Sequence, residues 1–323
     1  KIKTINMKLD LIDKKILTEL DLNSAIPLNK LAKKVNKSPE TVSYRIKRLK
    51  DNNILLRTHL IADMSKFGYT TFRVYIKWQY MTAKDKKDFY NFLQNIPEIW
   101  TIAQLHGVWD MAFFVGIKQS KDFKRIWDQI EALYKEKIAE YKIAIYSLIH
   151  NFNKTFLLED FSHKIQRSSG EQKLIPYDEI DEKIIHTYGK DVRQPLHEIA
   201  KEVGVSIETV RKRIKKLEIE RVIVGYKIDM DLSKIGYQGY RVDFYLNSTK
   251  RNKEIFEYLK NNKYFYQINE SIGGADIETE VIVKNLVKLL EELEKITKLF
   301  KDVVRYYVHY GYTGFPALSV IAD

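Results

Sequence analysis

Ser206–Leu217 reads SIETVRKRIKKL, and Ser38–Leu49 has already said nearly the same thing as SPETVSYRIKRL. Val42, Ile46 and Leu49 recur at i, i+4 and i+7, as do Val210, Ile214 and Leu217, which predicts two helices with one apolar stripe each. A serine stands before each helix, where its hydroxyl can accept a hydrogen bond from a free first-turn amide, and Glu40 or Glu208 follows where the helix dipole favours an anion. Pro39 sits at a first helical position, where its missing amide costs nothing. The remaining face is basic and hydroxylated. Ser43, Tyr44, Arg45, Lys47 and Arg48 line it in the first copy, and Arg211, Lys212, Arg213, Lys215 and Lys216 in the second.

What precedes each helix decides how that face is presented. LNKLAKKV (28–35) and LHEIAKEV (196–203) are short and amphipathic, and each runs into a tight corner, Asn36-Lys37 or Gly204-Val205. Asn and Gly enter the left-handed conformation that such a corner needs more readily than other residues. Two helices joined this way form a helix-turn-helix, whose second helix enters the major groove of DNA. An ordinary solvated helical hairpin is the plain alternative, but both copies keep the corner, the cap and the basic face. Ser38, Thr41, Ser43, Tyr44, Arg45, Lys47 and Arg48 are therefore the expected DNA contacts of the first copy. Ser206, Thr209, Arg211, Lys212, Arg213, Lys215 and Lys216 are those of the second.

Composition agrees. The 323 residues carry a formal net charge of +12, which suits a polyanionic partner. Residues 1–60 hold 14 Lys and Arg against 6 Asp and Glu, a net +8 in the segment with the first motif. There is no Cys, which removes disulfides, thiolate metal sites and Cys nucleophiles. No apolar run reaches the length of a membrane span and the Lys-rich start lacks a signal-peptide core, so the expectation is a cytoplasmic protein without a membrane partner.

The repetition extends beyond the helices. Asp10 and Asp178 open two segments that align 168 residues apart without a gap as far as Val74 and Val242, pairing Asp13 with Asp181, Arg45 with Arg213, Gly68 with Gly236 and Arg73 with Arg241. Each unit begins with three helices. LLRTHLIAD or IVGYKIDMD follows, alternating as a short hairpin wing would. After Gly68 and Gly236 the pattern becomes strand, helix, strand, strand, helix, strand, the order of a ferredoxin-like sandwich. The expected fold class is α+β, a tandem duplication of winged helix-turn-helix and ferredoxin-like (βαββαβ) domains. The expected limits are 1–66 and 67–158 for the first unit, 177–234 and 235–323 for the second. Residues 159–176, containing QRSSGEQK, read as a flexible, solvated linker.

This arrangement resembles the leucine-responsive regulatory protein (Lrp/AsnC) family, twice over nearly the whole chain. LDLIDKKIL, SPETVSYRIKRL and GVWD carry the likeness in the first unit; DEIDEKII, DVRQPLHEIAKEVGVS and GGAD carry it in the second. Two departures stand out. Asn53 and Arg221 occupy the place of a glycine usual after the recognition helix, and the family generally has one unit per chain, which dimerises. The resemblance implies a DNA-binding regulator in which the two units pair within one chain as a covalent pseudo-dimer, with further homo-oligomers open to it. It also implies a small effector, such as an amino acid, held near the GxxD turns by Gly107, Asp110, Gly273, Gly274 and Asp276. In the other reading of those turns, Gly makes a tight connection and Asp caps it.

Seven His residues show no metal-ligand spacing, and neither a P-loop nor a nucleophile elbow occurs. The sequence reading is accordingly of a protein that is not an enzyme and has no cofactor and no metal. The alternative follows from the same resemblance: some two-unit relatives are sirohaem decarboxylases, and His106 lies near the place for that chemistry. Their Arg- and Tyr-rich strand is not recognisable at 105–114 or 272–280. A pure assembly scaffold would leave the two basic faces unexplained.

Overall fold

The computed structural model describes residues 8–158, 163–170 and 173–313. The expected outer limits at residues 1 and 323, and the beginning of the 159–176 segment, lie outside them. The first unit opens with α1 (Leu11–Leu22), α2 (Leu28–Val35) and α3 (Pro39–Asp51). Asp10 and Asp13 cap α1 reciprocally, each side chain accepting the other's backbone amide. Asn36 ends α2 at φ 53°, the left-handed corner its residue type allows. Strand β1 (Leu55–Ala62) follows, then β2 (Thr70–Trp78), α4 (Ala83–Gln94), β3 (Ile99–His106), β4 (Met111–Ile117), α5 (Ser120–Tyr134) and β5 (Ile138–Phe152). After β6 (Gln166–Ser169) the second unit repeats the series as α6 (Glu179–Lys190), α7 (Leu196–Val203), α8 (Ile207–Ile219), β7 (Ile223–Met230), β8 (Gln238–Leu246), α9 (Asn252–Asn261), β9 (Phe265–Ile272), β10 (Ile277–Val283), α10 (Leu286–Leu299) and β11 (Val304–Thr313). Asp178 and Asp181 form the same reciprocal cap at α6, and Gly204 turns the corner at φ 79°.

The expected hairpin wings do not form. Each wing sequence is one strand, and β1 pairs antiparallel with β7, Thr58 opposite Ile228. The reason lies in where their apolar side chains go. Ile228 and Met230 of β7, with Phe156 and Leu157, complete the core of α1, α2 and α3. Leu60 and Ala62 of β1, with Met64, Phe67 and Trp100, complete that of α6, α7 and α8. Each three-helix domain thus buries its apolar face on a strand of the opposite unit, and removing that surface from water holds the units together.

The two ferredoxin-like sheets, β3-β4-β2-β5 and β9-β10-β8-β11, join at both edges: β3 pairs with β11, Leu105 opposite Tyr312, and β5 with β9, His150 opposite Ile268. The result is a closed ring of eight strands, which leaves neither sheet with a free edge at these joins. Helices cover the outside. Phe89, Leu93, Ile126 and Ile130 pack on Val74, Ile76, Phe113 and Val115, and Ile255, Leu259, Leu289 and Leu293 on Val242, Phe244 and Val281. Alternation along the strands sends the other set of side chains inward. Among the described residues no helix is long and apolar enough to cross a membrane.

The segment between the units is not the solvated linker its composition suggests. Its strand β6 adds to β5, Ile149 opposite Ser169, and Arg167 is only 3% exposed. The Arg167 Nη1 donates to the carbonyls of Asp21, 3.1 Å, and Tyr226, 2.5 Å, one from each unit.

Candidate nucleic-acid interface and the unit junction

Recognition helices α3 and α8 begin alike. Ser38 Oγ accepts the Thr41 amide at 3.2 Å and Ser206 Oγ the Thr209 amide at 3.1 Å, so these four residues build the helix starts. Val42, Leu49, Val210 and Leu217 are fully buried, which fixes the rotation of each helix and sends the basic faces outward. Asn53 and Arg221 take left-handed conformations, φ 50° and 57°. Behind them Ile54 N–H donates to the Leu49 carbonyl at 2.9 Å and Val222 N–H to that of Leu217 at 2.8 Å, closing the helix ends as a glycine would.

The remaining expected DNA contacts divide into two sets. Arg45 pairs with Asp10 and Asp13 at 2.7 and 2.9 Å, and Arg48 with Asp13 at 2.6 Å. Arg213 pairs with Asp178 and Asp181 at 2.8 and 3.1 Å, and Lys216 with Asp181 at 3.1 Å. These four cations tie the recognition helix to the first helix of its own domain. The carboxylates answer: Asp10 and Asp178 are lowered against the desolvation of partial burial by the cap amides and by Arg45 or Arg213. The second set faces solvent: Ser43, Tyr44 and Lys47 on α3, and Arg211, Lys212 and Lys215 on α8. Tyr44 is 66% exposed. Among the described residues Arg211 is held by Glu208 alone, one turn back at 2.5 Å.

At the GxxD turns the geometry assigns the polar groups internally. Asp110 Oδ2 accepts the Trp78 amide at 2.9 Å, and Asp276 Oδ2 the Leu246 amide at 2.8 Å, so each Asp clamps the end of a neighbouring strand. Lys77 donates to the Gly107 carbonyl at 3.2 Å and lies 3.4 Å from Asp110. The second turn holds one of the chain's own carboxylates: Glu278 Oε1 accepts the Ala275 amide at 3.1 Å and the Ser271 hydroxyl at 3.0 Å. A Cβ on Gly274 would lie 2.1 Å from that oxygen. Gly273, Gly274 and Asp276 still line a cavity of about 880 Å³, shared with His150, Lys253 and Glu270.

Glu278 is the centre of the ring. Its carboxylate receives Arg73 on both oxygens and Arg241 at 2.6 Å, and all three side chains are buried. Arg73 also donates to the Tyr146 hydroxyl at 2.9 Å, and the Tyr310 hydroxyl lies 2.6 Å from that of Tyr75 and 3.2 Å from the Asp243 carboxylate. Burial alone would raise the Glu278 carboxyl, but the two guanidiniums hold it down at about 2. Identity of Arg73 and Arg241 at one offset was the signal in the sequence; their shared acceptor was not visible, because it belongs to one unit only. Strand β11 is rich in tyrosine, with Arg305, Tyr306, Tyr307, Tyr310 and Tyr312. It borders a second cavity, of about 970 Å³, lined by His106, Arg57, Tyr237, Tyr240, Tyr266 and Tyr312.

Fold and site together define a duplicated helix-turn-helix chain with a ferredoxin-like core. Residues 178–218 match the AsnC-type helix-turn-helix domain and residues 9–55 a winged helix-turn-helix DNA-binding domain. The transcriptional regulator LrpA of Pyrococcus horikoshii is 35% identical over 96 residues, 30% of this chain and 68% of the relative. The regulatory protein AsnC of Haemophilus influenzae is 27% identical over 127 residues, 39% of this chain and 85% of its own. The chain belongs to the Lrp/AsnC family. Among solved structures, the siroheme decarboxylase NirDL shares the fold with TM-score 0.60 and 14% identity, covering 94% of this chain and 91% of its own. A second structure, NirDL with an iron-uroporphyrin III analogue, gives 0.59 and 15% over 94% and 92%. The reading that the chain is not an enzyme is corrected by this likeness, since an enzyme shares the fold over 94% of this chain.

Proposed function

We propose that the chain is a sequence-specific DNA-binding transcriptional regulator acting in the cytoplasm as a covalent pseudo-dimer. The observation that carries the reading is the pair of recognition helices, each anchored to its own domain by buried apolar residues and ion pairs, with Ser43, Tyr44 and Lys47 on one and Arg211, Lys212 and Lys215 on the other left to solvent. Phosphate contacts from Lys47, Lys212 and Lys215 would supply much of the affinity and make it salt-dependent. Base contacts from Ser43 and Tyr44 on one helix and Arg211 on the other would supply selectivity. Because these residues differ between the helices, the operator is asymmetric: two unlike half-sites about one helical turn, or a multiple of it, apart. Selection from random DNA tests this, and recovery of a perfect palindrome would overturn it. An amino-acid effector fits the cavity beside Gly273, Gly274 and Asp276, where Lys253 and Glu270 supply both charges.

A second reading is favoured by one specific observation, the cavity of about 970 Å³ lined by His106 and by Tyr237, Tyr240, Tyr266 and Tyr312. On it the chain holds a tetrapyrrole there and acts as a sirohaem decarboxylase does. Adding sirohaem and following its absorbance tests that reading: an unchanged spectrum removes it.

A further inference from the structure

The two helical domains share a fold but not a charge. Residues 8–66 hold 13 Lys and Arg against 7 Asp and Glu, whereas residues 176–234, the same stretch 168 positions on, hold 12 against 12. Four outright reversals open the gap: Lys14 stands against Glu182, Lys30 against Glu198, Lys34 against Glu202 and Lys50 against Glu218. Two of the four lie on the helix that precedes the recognition helix. On α2 the apolar residues Leu31, Ala32 and Val35 are buried, so Lys30, Lys33 and Lys34 share the exposed side, and Lys37 continues it across the corner. Among the described residues only Lys34 of these is drawn into an ion pair, with Glu19 at 2.7 Å. Helix α7 buries Ile199 and Ala200 and turns Glu198, Lys201 and Glu202 outward. In the place of Lys37 stands Val205, packed on the core of its own domain.

In a helix-turn-helix the recognition helix enters the major groove and the helix before it crosses the phosphate backbone. Lys37 directly precedes Ser38, the cap of α3, so the cationic side of α2 runs up to the start of the helix that enters the groove. We propose that the two domains hold DNA unequally: the first grips the phosphate backbone through Lys30, Lys33 and Lys37, and α7 makes no such grip, leaving the second domain to meet DNA through α8. Glu198 and Glu202 flank Lys201, one turn before it and one residue after, and their charges oppose a phosphate approaching α7. Sequence-independent affinity therefore resides mainly in the first domain, which anchors the chain on any duplex while α8 adds its contacts. The inference rests on the reading of the chain as a DNA-binding regulator and gives that binding a polarity.

Lys33 and Lys201 are the same residue at equivalent positions, both exposed, and form a matched pair for the test. The full chain, Lys33→Ala and Lys201→Ala are each titrated against one duplex of scrambled sequence across a salt series. Lys33→Ala is expected to reduce the slope of log affinity against log salt by about one unit, and Lys201→Ala to leave it unmoved. Unchanged far-ultraviolet circular dichroism in both variants ties the slopes to contacts rather than to folding. An equal or larger reduction in Lys201→Ala, or no reduction in Lys33→Ala, overturns the proposal while the regulator reading stands. Absence of salt-dependent binding by the unaltered chain overturns both, so the two failures are told apart.

Discussion

Arg73 and Arg241 stand at equivalent places in the two units and converge on one carboxylate, Glu278, whose counterpart in the first unit is Ala112. In the same way Asp243 faces inward where the first unit has Tyr75. The duplicated arginines are therefore neutralised by acids that one unit alone contributes. Replacing Glu278 with Gln leaves two buried guanidiniums short of a counter-ion and is expected to cost about 3–5 kcal/mol at neutral pH, measured by urea unfolding. The pH dependence has a definite sign. A carboxyl lowered to about 2 in the fold contributes stability that is complete above its unfolded value near 4.5 and is lost as pH falls toward 2. The gap between wild type and Glu278→Gln should close over that window, and a gap unchanged down to pH 2 would contradict the assignment. Arg221 presents the opposite case. A Cβ-bearing residue at φ 57° does the work of a helix-ending glycine, so Arg221→Gly should raise stability by about 0.5–1 kcal/mol in the same assay. Residue identity at the 168 offset was legible without coordinates. The charge network was not, because Arg73 and Glu278 lie 205 positions apart and meet only when the ring closes.

The helices and the joining strand differ in how far their own sequences specify them. Caps, corners and apolar stripes of α3 and α8 are local properties, and they were readable from Ser38, Asn36 and Val42 or Ser206, Gly204 and Val210. Which cations remain free was not local: Arg45 and Arg213 look like DNA contacts until Asp10, Asp13, Asp178 and Asp181 on the first helix of each domain are seen to hold them. Arg45→Ala should accordingly lower thermal stability. Lys212→Ala should leave the melting temperature unmoved and reduce the slope of log affinity against log salt by about one unit. A large thermal loss in Lys212→Ala would reverse the division. Arg211→Ala separates base from phosphate reading, since loss of a base contact changes sequence preference and costs about 1–3 kcal/mol. The wings and the linker were misread for one reason. QRSSGEQK is polar enough to be solvated, and LLRTHLIAD alternates as a hairpin would, but the surfaces that order them belong to the other unit.

At the scale of the molecule, duplication has turned a symmetric assembly into an asymmetric one. The reciprocal cores, in which β7 completes the first helical domain and β1 the second, join with the closed eight-strand ring to make the halves mutually dependent. Freed from identity, the halves diverged at the recognition helices and at the centre of the ring. The fold class followed from the repeat and the order of elements; the closure of the ring did not, because edge pairing between distant strands leaves no short-range signature. The central claim is that the solvent-facing sides of both recognition helices are used on DNA. Its most direct test is binding of the full chain to the DNA upstream of its own gene, against scrambled DNA of equal length, across a salt series. The account predicts selective binding that weakens steeply as salt rises. Binding that is weak and equal on both DNAs would contradict it.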